Sequence, residues 1–307
     1  MYNLNHTETR MYSSKDVAAP ALSGSPGDIK TILKACLAIG YGNKLPAGWI
    51  IEAEGLDDNN KNKICLRPNN PEASELAFVF DDSISNSDIS TPCTVKAVVD
   101  FVDFDNVDDV LHVMPTIPIM TNTNGITLSA IPRKAGDWVL IAHDASCLLL
   151  LSEKNQAIYT PVFFGATYPA TNERSVVSVV IGLANSAYGY SDIEYYLNIN
   201  DGLTRAPGSS SQLGLYIEIT ANTHKTRVNF GDYFANYASN RDPIDFFDMI
   251  VRSDNMVHGI VPFIKQPTCF KIEPPLMRQL SELTYIVPLS GRDYSRYVYD
   301  CMILDLT

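Results

Sequence analysis

Five aspartates form the densest group of potential metal ligands in the chain: Asp100, Asp103, Asp105, Asp108 and Asp109. Carboxylate oxygens are preferred Ca²⁺ ligands, but an EF-hand loop also needs a central glycine and a terminal bidentate glutamate, which are missing here. If the segment is a strand, Asp103 and Asp105 share one face, and Val102 and Phe104 share the other. We therefore expect a solvated strand face with a loop, and keep a structural cation as the weaker alternative.

Paired carboxylates could hydrolyse glycosides, and four residues are candidates: Asp81, Asp82, Glu194 and Glu218. This chemistry depends on the distance between two carboxyl groups, which a sequence does not define. The five histidines never occur as neighbours, and no G-x-S-x-G elbow, P-loop or G-x-G-x-x-G motif is found. We therefore expect no enzyme, no catalytic residues, no cofactor and no metal. A polysaccharide-degrading enzyme is the weakest of three alternatives.

Clustered tyrosines could form an aromatic platform for a sugar or a protein partner. Tyr188 and Tyr190 flank a glycine, and Tyr195 and Tyr196 follow closely. Such residues also occur in the core and turns of β-sheets, which is the interpretation we favour. A β-sandwich adhesin that binds host-surface glycan through a loop near residues 185–211 is the second alternative.

Composition excludes several classes of protein. The 307 residues carry a net charge of −12, whereas a duplex-DNA binder needs a basic stripe that neutralises phosphates. Apolar residues make up 46% of the chain, enough for a core, which argues against disorder. No secretory signal is visible, and no apolar run approaches the ~18 residues of a membrane helix. We expect a protein made in the cytoplasm that neither binds duplex DNA nor inserts into a membrane.

The spacing of the cysteines indicates whether they form disulfides, bind a metal or remain free thiols. The six cysteines are widely spread, with no C-x-x-C pair and no histidine at ligand spacing. We predict buried thiols rather than disulfides or zinc ligands.

One amphipathic helix is predicted near the start of the chain. Residues 1–24 show no sustained period, and Pro20 lacks an amide hydrogen, so we expect an extended arm outside the core. Ser25 is a good N-cap, Pro26 suits the first helical position and Asp28 suits the first turn. An apolar stripe then recurs at helical spacing until Gly40 or Gly42, which predicts a helix over about 26–38. The members of this stripe are Ile29, Ile32, Leu33, Cys36 and Leu37.

The remaining pattern is of short apolar runs between turn clusters. Residues 50–53 and 63–67 flank Asp57-Asp58-Asn59-Asn60, which predicts a hairpin. Further strands are predicted near 76–80, 94–104, 110–114, 126–131, 137–143, 146–151, 157–164, 175–183, 193–199, 213–220, 226–230, 246–252, 257–264, 284–288 and 296–305. The fold class is therefore mainly β, with antiparallel sheets in a sandwich or barrel-like arrangement and one N-terminal helix.

One stretch resembles a known family in both order and spacing. Residues 19–27 read Ala-Pro-Ala-Leu-Ser-Gly-Ser-Pro-Gly, residues 33–37 read L-x-A-C-L, residues 40–44 read G-Y-G-x-K, and Ala-Gly-Trp follows at 47–49. This pattern resembles the opening of a family of tailed-bacteriophage virion proteins.

Weaker similarity to the same family continues to about residue 185. It comprises Arg67 with Asp81 and Asp82, then residues 137–142 and 161–165. Beyond it, this chain is rich in Asn and Tyr, and resembles the family only in its layout of strands. The resemblance also favours a strand over a second helix after Asp242-Pro243. We predict an arm over 1–24, a helix and β domain over 25–184, and a second β region over 185–307.

The resemblance implies a non-enzymatic structural component of the virion, in the tail or baseplate, or else in the neck. Its partners would be other virion proteins and copies of itself in a symmetric ring. An extended arm suits strand addition to a neighbouring subunit, in which main-chain hydrogen bonds supply affinity. The predicted interface residues are Met11, Tyr12, Ala19, Pro20 and Leu22.

Overall fold

The computed structural model describes a large part of the chain. The described residues are 4–73, 76–83, 93–98, 101–105, 135–153, 159–169, 178–185, 191–198, 215–218, 246–253, 256–267, 278–281, 284–288 and 301–306. In these residues the protein is mainly β, with antiparallel sheets and one short helix. Among them, no helix has the length and apolar character needed to cross a membrane.

The strands of the described residues are numbered along the chain. They are β1 Arg10–Ser13, β2 Ile50–Glu54, β3 Lys63–Arg67, β4 Ala77–Asp81, β5 Thr94–Val98, β6 Gly136–Ala142, β7 Ser146–Glu153, β8 Tyr159–Ala166, β9 Tyr168–Pro169, β10 Ser178–Asn185, β11 Ser191–Asn198, β12 Leu215–Glu218, β13 Phe246–Ser253, β14 Met256–Pro267, β15 Arg278–Ser281, β16 Thr284–Pro288 and β17 Cys301–Asp305.

The predicted helix is confirmed, but its boundaries differ. Helix α1 spans Asp28–Leu33 and continues as a π-helical stretch over Lys34–Ile39. The whole apolar stripe is buried, and Gly40 ends the helix with a φ of 82°. Ser25 does not cap the helix, because Gly27 occupies the cap position with a φ of 84°. The cap comes instead from Asp82, whose Oδ2 accepts the Ile29 amide at 2.9 Å.

The helix lies beside a four-stranded sheet with the order β2-β3-β4-β5. The predicted hairpin is confirmed, because β2 and β3 pair with Ile50 opposite Arg67. The strand predicted over 94–104 ends at Val98. Phe101 and Phe104 do not alternate across a strand; their rings lie 5.0 Å apart and pack on the sheet, while Val102 is 66% exposed. The expected strand faces at 101–105 are therefore wrong, because these residues form no strand and two half-buried aromatic rings pack against each other instead.

A six-stranded sheet has the order β1-β6-β7-β8-β10-β11, and every pairing in it is antiparallel. The proposed domain boundary between residues 184 and 185 falls at the end of β10, in a hairpin whose other strand belongs to the same sheet. The division into domains stays a prediction.

The third sheet has seven strands, with β12-β13-β14-β17-β16-β15 in order and β9 paired to β14. The strand favoured after Asp242-Pro243 is confirmed as β13. Sequence patterns did not predict β1, β9 or β15, and the strands expected at 110–114, 126–131 and 226–230 lie outside the described residues. Strand β9 adds Tyr168 and Pro169 to this sheet directly after β8 of the six-stranded sheet.

One hydrophobic core joins the helix, the four-stranded sheet and the six-stranded sheet. The ring of Trp49 lies 5.9 Å from that of Phe78 on β4 and 5.6 Å from that of Phe164 on β8. Phe80, also on β4, lies 5.0 Å from Phe164, within the range of favourable aromatic pairs. The two sheets therefore meet through aromatic side chains.

The prediction of buried thiols is confirmed for four cysteines: Cys36, Cys65, Cys93 and Cys147. Burial raises the pKa of Cys36, Cys65 and Cys147 above the usual value, so these thiols stay protonated and behave as small apolar side chains.

Candidate functional site

The carboxylates considered for glycoside hydrolysis lie on three different sheets. Asp81 and Asp82 lie at the end of β4, Glu194 lies on β11 and Glu218 lies on β12. Asp82 is fully buried and binds the start of the helix, whereas Asp81 lies 3.9 Å from the Lys63 ammonium. Asp82 therefore has a structural role.

The metal and tyrosine hypotheses are tested only in part. No cluster of three or more potential ligand side chains is found among the described residues, which include Asp103 and Asp105 but not Asp100, Asp108 and Asp109. Tyr188 and Tyr190 lie outside the described residues, and Tyr195 and Tyr196 lie on β11.

The predicted interface residues lie in the N-terminal segment, defined here as residues 4–24, which packs on its own chain. Strand β1 pairs with β6, with Tyr12 opposite Leu140. Tyr12 and Leu22 are 1% and 7% exposed and belong to the main core. The expectation of an arm outside the core is therefore wrong. Burial of these two large side chains removes apolar surface from water, which stabilises the packed segment relative to an exposed arm.

Two hydrogen bonds also hold the segment, and together with the β1–β6 pairing and the buried Tyr12 and Leu22 they form its first anchor. The hydroxyl of Tyr12 donates to the main-chain oxygen of Leu45 at 2.8 Å, and the indole N–H of Trp138 donates to that of Pro20 at 2.9 Å. Met11, Ala19 and Pro20 are half-buried, and Ala19 packs against the core. An interface with a partner at these residues stays a prediction.

The outer edge of β1 is bonded to other groups of the same chain at Met11 and Ser13. The amide of Ser13 donates to Oδ2 of Asp16 at 2.9 Å, and the Ser13 carbonyl accepts the Asp16 amide at 3.0 Å. The Lys44 ammonium donates to the Met11 carbonyl at 3.1 Å. Groups that are already bonded are poor templates for another strand, so β1 is a protected edge.

The first residues of the segment are held by a second anchor, made of polar groups. Oδ1 of Asp144 accepts the Thr7 amide at 3.1 Å and Nδ2 of Asn70 at 3.2 Å. The same Nδ2 donates to the main-chain oxygen of Asn5 at 2.6 Å. The side chain of Asn5 donates to Glu72 at 2.7 Å, which lowers the pKa of that carboxyl.

Two histidines far apart in the sequence stack inside this second anchor. The rings of His6 and His143 lie 4.0 Å apart and 12° from parallel, and the Tyr168 ring lies beside this pair, 5.8 Å from His6 and 6.3 Å from His143. Phe263 of β14 lies 5.0 Å from the His143 ring. The stack therefore joins the N-terminal segment, the β6–β7 turn, β9 and β14.

The His143 ring is fully buried and neutral. Its Nδ1 accepts the amide of Ala145 at 3.1 Å, so the proton of the neutral ring lies on Nε2. Within the described residues, Nε2 has no hydrogen-bond partner. Burial, assisted by the nearby His6, lowers the pKa of His143 to about 2. Such a group is not a general base near neutral pH.

Sequence reasoning missed this histidine pair. The two rings belong to segments 137 residues apart, and His6 lies in a stretch without periodicity. Neither residue type nor spacing signals the contact, because tertiary packing alone creates it.

No protein-family model, curated protein or solved structure matches this chain.

Proposed function

We propose that this chain is a non-enzymatic structural component of a tailed-bacteriophage virion, located in the tail or baseplate, or else in the neck. The observation that carries the proposal is the resemblance of residues 19–49 to the opening of a family of such proteins. The proposed partners are other virion proteins and copies of this chain in a symmetric ring.

The packing of the resembling segments supports this proposal. Leu22, Cys36 and Trp49 from the first segment share one core with Trp138 and Phe164 from the later, weaker matches. Segments scattered between residues 22 and 164 thus share one hydrophobic core. The matching residues are thus residues of the core, which maintain a fold rather than form a catalytic site. This suits a structural subunit that assembles with others.

We further propose that the four-stranded and six-stranded sheets form the two layers of a β-sandwich. Phe78 and Phe80 on one sheet contact Phe164 on the other at centroid distances of 5.6 and 5.0 Å. Interdigitating inner faces of this kind are typical of sandwiches.

We propose that copies of the chain assemble by exchanging their N-terminal segments, rather than by adding a strand to an open sheet edge. Because the edge of β1 is protected, the segment would exchange between copies, each occupying the same position on the next subunit. Tyr12 and Leu22 would then make between subunits the contacts that they make within one chain.

Electron microscopy of the purified full chain, over a range of concentrations, tests the proposal. We expect closed rings, and we expect an antibody against the chain to label the tail or neck of particles that contain it. A variant lacking residues 1–24 separates the two parts of the proposal, because normal rings without the segment would exclude exchange but leave assembly intact.

Other outcomes would replace the proposal. A chain that stays monomeric, labels no particle and is retained on a glycan array would be an adhesin module. Release of reducing ends from a polysaccharide, lost on replacing one carboxylate, would indicate an enzyme.

A further inference from the structure

We propose that residues 4–9 form an acid-released clasp, in which His143 takes up a proton only when His6 and its neighbours lift off the β6–β7 turn. This inference does not depend on the proposed function. It rests on the hydrogen-bond geometry of two stacked histidines.

The closed clasp has no place for a second proton on His143. Nδ1 already accepts the amide of Ala145, and an N–H there would face another N–H. Nε2 is buried without a partner in the described residues, so a charged ring would have no second acceptor. A buried charge without hydrogen bonds is strongly unfavourable. Proton uptake therefore requires that water reach the ring.

His6 offers an internal contrast. Its Nδ1 lies 2.7 Å from the main-chain oxygen of Thr7, and its Nε2 lies 3.1 Å from the hydroxyl of Tyr168. Both nitrogens of a charged His6 ring would face oxygen acceptors, and the ring is exposed. Within the described residues, the closed clasp therefore offers acceptors to both ring nitrogens of His6 but to neither ring nitrogen of His143.

The groups that face His143 do not compensate for burial. Oδ1 of Asp144 lies 3.8 Å from Nδ1, too far for a hydrogen bond, and is already bonded to Thr7 and Asn70. On the other sides the ring meets His6, Tyr168 and Phe263, and the indole of Trp49 binds only its main-chain oxygen. A charged His6 would further oppose charge on His143.

The extent of opening is set by the neighbouring anchors. Lifting His6 breaks the bonds of Asn5 and Thr7 and exposes Leu4, which is 1% exposed in the closed state. Strand β1 follows immediately, and its ladder with β6 contains no histidine and no carboxylate. Opening should therefore stop at residue 9.

Hydrogen exchange of the full chain at pH 7.5 and 5.0 tests the proposal, with each rate divided by the intrinsic rate at that pH. With an open-state pKa of about 6.5, the open fraction of residues 4–9 should rise about 30-fold over this interval. The amide of Ser14, which donates to Trp138 at 2.9 Å, is the internal control and should keep its protection.

Two variants test whether the proton is taken up by His143 or by His6. His143→Asn keeps an acceptor for the amide two residues ahead, as asparagine does in Asx turns, but does not titrate. The 30-fold change should disappear in this variant and should persist in His6→Phe, which keeps a ring over His143.

Two results would overturn the proposal: a wild-type change below threefold, or an undiminished change in His143→Asn. If that variant does not fold, an NMR titration of the His143 ring in the wild-type chain tests the proposal instead. Titration of His143 near pH 6.5 with residues 4–9 still protected would equally overturn it.

Discussion

The two anchors of the N-terminal segment attach neighbouring residues to the rest of the chain by different chemistry. At β1, a main-chain ladder and the buried Tyr12 and Leu22 hold the segment. At residues 4–9, hydrogen bonds to Asp144 and Asn70 and a stack of His6 on His143 hold it. The first anchor relies on apolar burial, whereas the second relies on polar groups that make these contacts in only one protonation state.

This difference shows that one segment can combine a permanent and a conditional attachment. Apolar burial and main-chain hydrogen bonds depend little on pH, because neither changes its charge. A buried neutral histidine makes its neighbours sensitive to acid. Four predictions test the contrast.

Removing the aromatic ring of the apolar anchor should have the largest effect. Tyr12→Ala should lower the free energy of unfolding by about 3–5 kcal/mol, because a large buried side chain leaves a cavity. Tyr12→Phe is the matched control and should lose about 0.5–1.5 kcal/mol, the usual value for one hydrogen bond. Urea unfolding measures both, and equal losses would contradict an apolar anchor.

Removing the carboxylate of the polar anchor should have a smaller and local effect. Asp144→Ala leaves the Thr7 amide without its acceptor and removes one of the two acceptors of the Asn70 side chain, which should cost about 1–3 kcal/mol of stability. Hydrogen exchange should report loss of protection at residues 4–9 but not at β1. Asp137→Ala, at an exposed aspartate bonded to Ser14, is the control and should change stability by less than about 0.5 kcal/mol.

Acid should weaken the whole fold through His143. Its folded-state pKa is about 2 and its unfolded value is about 6.5, so below pH 6.5 the unfolded chain binds more protons. The free energy of unfolding therefore falls with falling pH, by up to about 1.4 kcal/mol from this residue between pH 7.5 and 5.5. Urea unfolding at both pH values should show that His143→Asn removes this difference; an unchanged difference would assign it to other groups.

An exposed ion pair beside the apolar anchor should contribute least. The Lys15 ammonium lies 4.0 Å from Asp137, and both side chains are largely exposed. Lys15→Ala should change the free energy of unfolding by less than about 0.5 kcal/mol, because solvent screens such pairs. A larger loss by urea unfolding would mean that β1 also depends on charge.

Local patterns predicted most of the described elements. The stripe from Ile29 to Leu37 and the stop at Gly40 locate the helix, because the apolar period and a left-handed glycine are local features. Most described strands were found for the same reason, since short β-branched and aromatic runs between turns have few alternatives.

The errors occurred where distant residues decide local structure. The helix begins at Asp28 rather than Pro26, and Asp82 on another element caps it. Residues 101–105 leave the strand pattern because Phe101 and Phe104 pack together on the four-stranded sheet. Strand β1 was missed since only Arg10–Ser13 pair, and β6 supplies the partner.

The sequence by itself determined which short segments are helical or extended and that at least four cysteines are buried free thiols, since apolar period, glycine and spacing are properties of neighbouring residues. Only the tertiary structure decided that the N-terminal segment packs on its own sheet and that His6 covers His143. The physical reason is that burial and hydrogen bonding act between residues far apart in the chain, and the energy of each contact depends on what surrounds it.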